Sequence, residues 1–174
     1  FFDDRSLLIQ KRFLNVMYVC LEGTVMEFDV EEVTAYLHQH IPVTRAMQFS
    51  VLPVTDGSLK LSAKLAPNLN HQETAFGGSI ASLGILAGWT LIHLKLRVDQ
   101  PNYKIVIQKS EIEFLKPIEA DFIAECPLPG DGVWTPFHAS LQRKRRGRIT
   151  LESTVKVNGQ IAAVIKGIFV AKLL

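Results

Sequence analysis

Between Asn70 and Ser79 the chain gathers a carboxamide, an imidazole, a carboxylate and two hydroxyls, in the order Asn70-His71-Gln72-Glu73-Thr74-Ala75-Phe76-Gly77-Gly78-Ser79. His71 and Glu73 are the groups that could take a proton from water. Ser79 and Ser82, about one helical turn apart, could orient that water. The same residues also suit plain structural roles, the loop carboxylate as a solvated group and the serines as helix caps. The segment after the loop decides how it is held. Gly77-Gly78 opens the longest near-continuous apolar run of the chain, Ile80 to Leu94, which predicts a helix from about Phe76 to Leu96. Such a helix is roughly 30 Å long, the diameter of a small domain, and can run through the middle of one.

That length also approaches a membrane span, which needs about 20 mostly apolar residues. The run, however, carries Ser82, Gly84, Gly88, Thr90, His93 and Lys95, and the rest of the chain offers amphipathic strands to cover it and no second spanning candidate. It therefore reads as a core helix, with no membrane insertion. His93 is expected as a hydrogen-bonded core histidine, and Gly84 and Gly88 as places where sheet or partner backbone approaches closely.

The remaining elements supply the cover. Asp29 is a plausible N-cap for a helix to His40, with Glu31 and Glu32 in its first turn and His38 and His40 as solvated residues in its last. Met47 to Val54 reads as a strand and Asp56-Gly57 as a turn. Ser58 to Ala66 alternates with period 2 and returns with one wet face. Tyr103 to Leu115 is a long strand whose alternation slips near Lys109-Ser110, which predicts a bulge. Ala120 to Cys126 gives another strand. Thr135-Pro136 carries the signature of a helix start, for a short helix reaching about Lys144. Arg148 to Val157 and Ile161 to Leu173 flank Asn158-Gly159, the strongest hairpin signal in the chain, and the second is apolar enough for the middle of a sheet. The first 25 residues show no clear period and read as an extension of uncertain origin, with a single α+β domain over residues 26–174. About six strands, mostly antiparallel, would wrap the long helix.

Composition narrows the partners. Of 174 residues 48% are hydrophobic and the formal charge is +2, enough chain for a sizeable core and too little charge for a strong global attraction to polyanions. Cys20 and Cys126 lie far apart without metal-ligand spacing, so neither a metal site nor a disulfide framework is expected. The basic run Arg143-Lys144-Arg145-Arg146-Gly147-Arg148 lacks the interleaved aromatics of a nucleic-acid surface, and no nucleic-acid role is expected. No leader or lipidation motif is visible, and a cytoplasmic location is the default. The sequence does not begin with Met, which is consistent with trimming or a longer parent.

The string Asn70-x3-Thr74-x-Phe76-Gly77-Gly78 at the start of a long helix resembles the hotdog fold of acyl-thioester enzymes. With Ala66-Pro67-Asn68-Leu69 before it and Ala87-Gly88-Trp89 after it, the chain is similar over about Met26 to Leu174 to a narrower thioesterase group. That group is typified by the C-terminal domain of the bacterial YiiD proteins. The resemblance implies hydrolysis of an acyl-CoA or acyl-carrier-protein thioester, with no cofactor beyond the coenzyme A or phosphopantetheine of the substrate. It implies a homodimer or a dimer of dimers with sites at the interface, and an apolar tunnel beside the helix for the acyl chain. Gly77 would present its N–H to the thioester carbonyl and Asn70 would place substrate or water. Thr74, Phe76, Gly78, Ser79 and Ser82 would line the substrate, and Arg143, Arg145 and Arg146 would hold coenzyme A phosphates or the acidic helices of a carrier protein. As a plain surface feature the same cations cap a helix C-terminus.

The chain also departs from its relatives. Phe76 stands where many carry histidine, Ile85 stands where they carry a helix carboxylate, and no Asp or Glu occurs from Thr74 to Val98. Glu73 and His71 are the available substitutes. The loss of the carboxylate weakens a 3-hydroxyacyl dehydratase reading and leaves open a non-catalytic acyl-thioester binding or sensing module.

Overall fold

The computed structural model describes residues 16–21, 24–99 and 102–174. Its centre is α3, Gly77–Asp99. A six-stranded antiparallel sheet in the order β3-β4-β6-β7-β8-β5 wraps it. The strands are β3 (Phe49–Thr55), β4 (Ser58–Ala63), β5 (Tyr103–Phe114), β6 (Phe122–Pro127), β7 (Arg146–Val157) and β8 (Gln160–Leu173). This is the expected hotdog arrangement, one helix inside a curled sheet. The 21-residue stretch Gly77–Arg97 is apolar enough for a membrane by length and composition, but it is mostly buried within the fold. Leu83, Ala87, Leu91, Ile92 and Leu96 are fully enclosed against Leu61, Ala124, Val155 and Phe169 of the sheet. Gly84 and Gly88 do allow close packing, but what fills the space is side chain and not backbone. A Cβ would lie 2.6 Å from Ile165 at Gly84 and 2.9 Å from Phe169 at Gly88, both on β8.

The hairpin after β7 forms at Asn158 and Gly159, whose φ angles of 50° and 76° give the left-handed turn that matches strand twist. β8 pairs on both sides, with β7 and β5, as its apolar run predicts. The expected bulge lies between Ile107 and Lys109. It shifts the alternation by one, so that Ile105 before it and Ile112 after it both register with the helix-facing residues of β8, Ala171 and Ile165.

Three expectations need correction. The helix α4 runs Asp131–Lys144 and is capped by Gly130, so it begins ahead of Thr135 and carries Pro136 inside. Val133 and Trp134 already donate to the Gly130 carbonyl, and Phe137 and Leu141, buried against the sheet, hold the helix despite the N–H that proline lacks. Second, His38 of α1 (Val30–His40) is no solvated end residue: its Nε2 lies 2.8 Å from the Phe49 carbonyl of β3. His40 stacks on Tyr36. Third, β4 stops at Ala63, and a 3₁₀ turn over Ala66–Asn68 takes up the rest of the expected strand. Ahead of α1, β1 (Val16–Leu21) and β2 (Thr24–Asp29) form a separate two-stranded sheet that crosses the position expected to separate extension from domain. Residues 1–15 of that extension lie outside the described residues. A four-residue helix α2, Val43–Ala46, links α1 to β3.

Candidate active site at the start of the central helix

The loop that delivers the chain to α3 is fixed from inside by two asparagines. Asn68, 2% exposed, donates from Nδ2 to the carbonyls of Met47 at 2.8 Å and Lys64 at 2.7 Å, and its backbone carbonyl accepts from Phe76 N at 2.7 Å. The sequence gives Asn68 no such role. Its signal there is weak, an amide between Pro67 and Leu69. Asn70 closes the loop on itself: Oδ1 accepts from Gln72 N at 2.8 Å and Thr74 N at 3.3 Å, while Nδ2 donates to Thr74 Oγ1 at 2.9 Å and Ala75 O at 3.4 Å. Both faces of its amide are occupied within the loop, which makes Asn70 a residue that shapes the site. His71 and Glu73 stand exposed at the tip, Glu73 with φ of 60°.

A second segment abuts the loop. Ala75 N donates to Ile118 O at 2.8 Å, and fully buried Ile118 anchors the turn after β5. This brings Phe114 toward the loop, a residue that only the tertiary fold reveals. The Phe114 ring lies 3.4 Å from where a Cβ on Gly77 would sit.

At the start of α3 the Phe76 carbonyl accepts from Ser79 N at 2.9 Å and Ile80 N at 3.1 Å. The N–H groups of Gly77 and Gly78 have no acceptor among the described residues. They are the unsatisfied donors that every helix start leaves, at its positive end. The exposed Phe76 ring folds back over Gly78, where a Cβ would meet it at 2.2 Å. Two N–H groups flanked by the half-exposed rings of Phe76 and Phe114 can bind an oxyanion beside an apolar chain. The serines separate: Ser79 is 3% exposed, whereas Ser82 and Ile85 lie half-buried one and two turns along.

The basic residues do not join this site within one chain. Arg145 O accepts from Leu173 N at 3.0 Å, so the end of α4 with Arg143 and Arg145 lies at the finish of β8, and Arg146 registers with Lys172. Lys172 in turn registers with Lys104 at the start of β5, whereas Gly77 meets the far end of β5 at Phe114. Over a 12-residue strand that separation is roughly 30 Å. A cleft of about 300 Å³ lies elsewhere, between α1 and β3, lined by Glu31, Thr34, His38 and Val51.

His93, toward the other end of α3, is the expected core histidine. It stacks between Tyr36 and Trp89, and its Nδ1 and its backbone carbonyl both lie 2.9 Å from the Tyr103 hydroxyl. Burial, reinforced by the charges of Arg97 and His40, pushes its pKa down to about 4, so the ring is neutral.

Comparison with known proteins adds what geometry alone does not. The family described as "Putative thioesterase (yiiD_Cterm)" matches residues 30–173. Among solved structures, a "putative thioesterase" from Shewanella oneidensis is similar at 29% identity and a TM-score of 0.71, covering 83% of this chain and 97% of that one. A protein of unknown function from Chlorobaculum tepidum superposes with a TM-score of 0.77 at 21% identity, covering 83% and 94%. A thioesterase from Haemophilus influenzae shares the fold at 8% identity, with a TM-score of 0.65 and coverage of 84% and 92%.

Proposed function

Since the chain belongs to the thioesterase family of the yiiD C-terminal type, we propose that it hydrolyses an acyl thioester of coenzyme A or of a carrier protein at the start of α3. The observation that carries this reading is the pair of unbonded N–H groups on Gly77 and Gly78 between two exposed aromatic rings. The thioester oxygen accepts from these donors as water adds to the carbonyl carbon. The C–O bond forms as the water passes one proton to Glu73 or His71 of the loop tip, the titratable groups nearest in sequence, since α3 carries no carboxylate before Asp99 at its far end. The C–S bond then breaks, and the thiolate leaves as the thiol by taking that proton back from the same group. Asn70 acts through the loop it closes, and Thr74 through its bond to Asn70. Phe76 and Phe114 flank the acyl chain, and Ser82 faces the same side.

The reading includes a homodimer. The edge of β5 pairs with no described strand, and Val106, Phe114 and Leu115 are more than half exposed. The strand carries Lys104 near its start and Glu111 and Glu113 in its second half, where Lys109 pairs with Glu111. Two copies paired antiparallel about the bulge therefore set Lys104 of each against the acidic end of the other. Such pairing would bring the half-buried Ser82, Ile85 and Trp89 of α3 toward a second copy.

Gly77→Pro tests the chemistry. Proline suits the first helical position but removes the N–H. Loss of one such donor is expected to lower kcat about 100- to 1000-fold with KM and the thermal midpoint little changed. Thiol release from short, medium and long acyl-CoAs and from acyl-carrier protein is the measurement. One observation favours a second reading, a binding module without turnover: no Asp or Glu occurs from Thr74 to Val98, and Ile85 stands where the resemblance implies a helix carboxylate. Under it, wild type releases no thiol from any substrate yet retains an acyl thioester.

A further inference from the structure

Along α3 the fold leaves one narrow face uncovered. From Ile80 to Leu94 every residue is buried except Ala81, Ser82, Ile85 and Trp89, which are half-buried. With Gly78 they recur at steps of three and four residues, so they lie on one line down the helix. Both ends of that line meet β5. At its start the Phe114 ring packs against Gly77, beside the unbonded N–H groups, and further along Trp89 Nε1 donates to Ile105 O at 3.1 Å. Between these two points β5 presents Ile107, 36% exposed, and half-buried Ile112, in register with the helix-facing Phe169 and Ile165 of β8. Trp89 closes the line. Its indole is fixed by the bond to Ile105 and by stacking on His93 at 5.1 Å, and His93 is itself held by Tyr36 and Tyr103. Beyond it, Thr90 to Leu94 are all buried. The core side is shut as well, because Ile165 and Phe169 already fill the notches at Gly84 and Gly88.

We infer that Trp89 is the end wall for the acyl chain and sets its length, so that the substrates are medium-chain acyl thioesters. This rests on the hydrolase reading and names its substrate class. A carbonyl held by the N–H groups of Gly77 and Gly78 starts its chain where the uncovered face starts, and that continuity identifies the occupant. Apart from the Ser82 hydroxyl near the carbonyl end, the side chains along the face are apolar up to the indole. From Gly78 to Trp89 the helix rises roughly 17 Å at about 1.5 Å per residue. With carbon–carbon bonds of about 1.5 Å, an extended chain of about a dozen carbons spans that length. Each methylene laid on the face leaves water and raises kcat/KM about fourfold, until the chain meets the indole. Carbons beyond that point gain nothing. Ile85, one turn nearer the start, is smaller than an indole and lets the chain pass. In the proposed dimer the second copy lies over this face and roofs the chain.

Moving the wall tests the inference. On acyl-CoAs from butyryl to palmitoyl, wild-type kcat/KM is expected to rise as far as decanoyl or dodecanoyl and then to level off or fall. Trp89→Ala is expected to carry the optimum to palmitoyl, raising palmitoyl relative to decanoyl at least about tenfold. Ile85→Trp sets an indole about 6 Å nearer the carbonyl and is expected to carry the optimum down to hexanoyl or octanoyl, with butyryl turnover kept. Trp89→Ala removes a brace from His93, whereas Ile85→Trp adds a ring at a half-buried position, so the second variant decides if the first fails to fold. An unchanged length profile in folded Ile85→Trp overturns the wall. A weaker dimer with that profile unchanged gives the face to subunit contact and overturns it equally. If wild type releases no thiol from any acyl-CoA or N-acetylcysteamine thioester, the hydrolase reading fails instead, and calorimetric binding of S-alkyl coenzyme A thioethers of the same lengths decides the wall. Affinity that climbs to decyl or dodecyl and stops there supports it; affinity that is absent or indifferent to length overturns it.

Discussion

The two edges of the sheet are finished differently. At β3, α1 lies along the strand and its side chains take up backbone groups that a neighbouring strand would otherwise bond. Thr34 Oγ1 accepts from Val51 N at 2.9 Å, and His38 Nε2 bonds the Phe49 carbonyl at 2.8 Å. Pro53 within β3 removes one further donor. At β5 no described element lies alongside, the strand is 12 residues long, and its exposed residues include Val106 at 57% and Phe114 at 54%. A long, partly apolar, uncovered edge invites another strand, whereas a short edge bonded by a helix repels one. The difference is what the proposed homodimer rests on: β3 is closed within the chain, and β5, which meets the helix start through Phe114, is left open.

The largest effect should follow from spoiling the open edge. Glu111→Lys with Glu113→Lys places like charges opposite one another across the proposed two-fold axis and is expected to weaken the dimer by at least about 100-fold, roughly 3 kcal/mol. Sedimentation should then show monomer at micromolar concentration, with thioester hydrolysis lost alongside and the circular dichroism spectrum kept. An unaltered dimer would move the interface to another face.

At the covered edge the expected effect is on stability and not on assembly. Thr34→Val removes the acceptor for Val51 N, in a residue only 5% exposed, and an unpaired buried donor costs about 2 kcal/mol. Denaturant unfolding should register that loss while the oligomeric state stays as it was.

His93 ties the two edges together: Tyr36 of α1 stacks on one side of it, and the hydroxyl of Tyr103, the first residue of β5, bonds it. Its pKa is lowered in the fold from 6.5 to about 4 by burial first, then by Arg97 and His40. The unfolded chain therefore binds the proton more tightly. Stability from this group is complete above about pH 6.5 and is lost as pH falls through about 4. His93→Gln should flatten that part of the stability profile in urea unfolding followed between pH 7 and 4.

Much of the frame was legible in the sequence because the signals were local. Period 2 in Ser58–Ala63, Asn158-Gly159 at a hairpin, and an apolar run behind two glycines each fix their own element. The roles of His38, Asn68 and Phe114 were not legible, since each depends on a partner distant in sequence: Phe49 for His38, Met47 for Asn68, Gly77 for Phe114. Thr135-Pro136 misled for the opposite reason. Its local signature is that of a helix start, but Gly130 already caps the helix, and the packing of Phe137 and Leu141 outweighs one missing hydrogen bond. The basic run was visible as a run. Its likeness of charge across strands became visible only when register joined Arg146 to Lys172 and Lys104.

The smallest expected effect sharpens the contrast most directly. Asp29 caps α1, its Oδ1 accepting from Glu31 N at 2.7 Å and Glu32 N at 3.3 Å. Asp29→Ala removes the cap at a cost of about 1 kcal/mol and should fray the first turn of the helix that covers β3. Thr34 and His38 lie one and two turns further in and hold the rest of α1 in place. The expected outcome is therefore faster amide exchange at Glu31 and Glu32, with Val51 N–H, bonded to Thr34, still protected. Exchange that instead opens at Val51 would mean that α1 covers the edge only as a whole, and that the β3 edge is closed by cooperative docking of the helix and not by its two side-chain bonds.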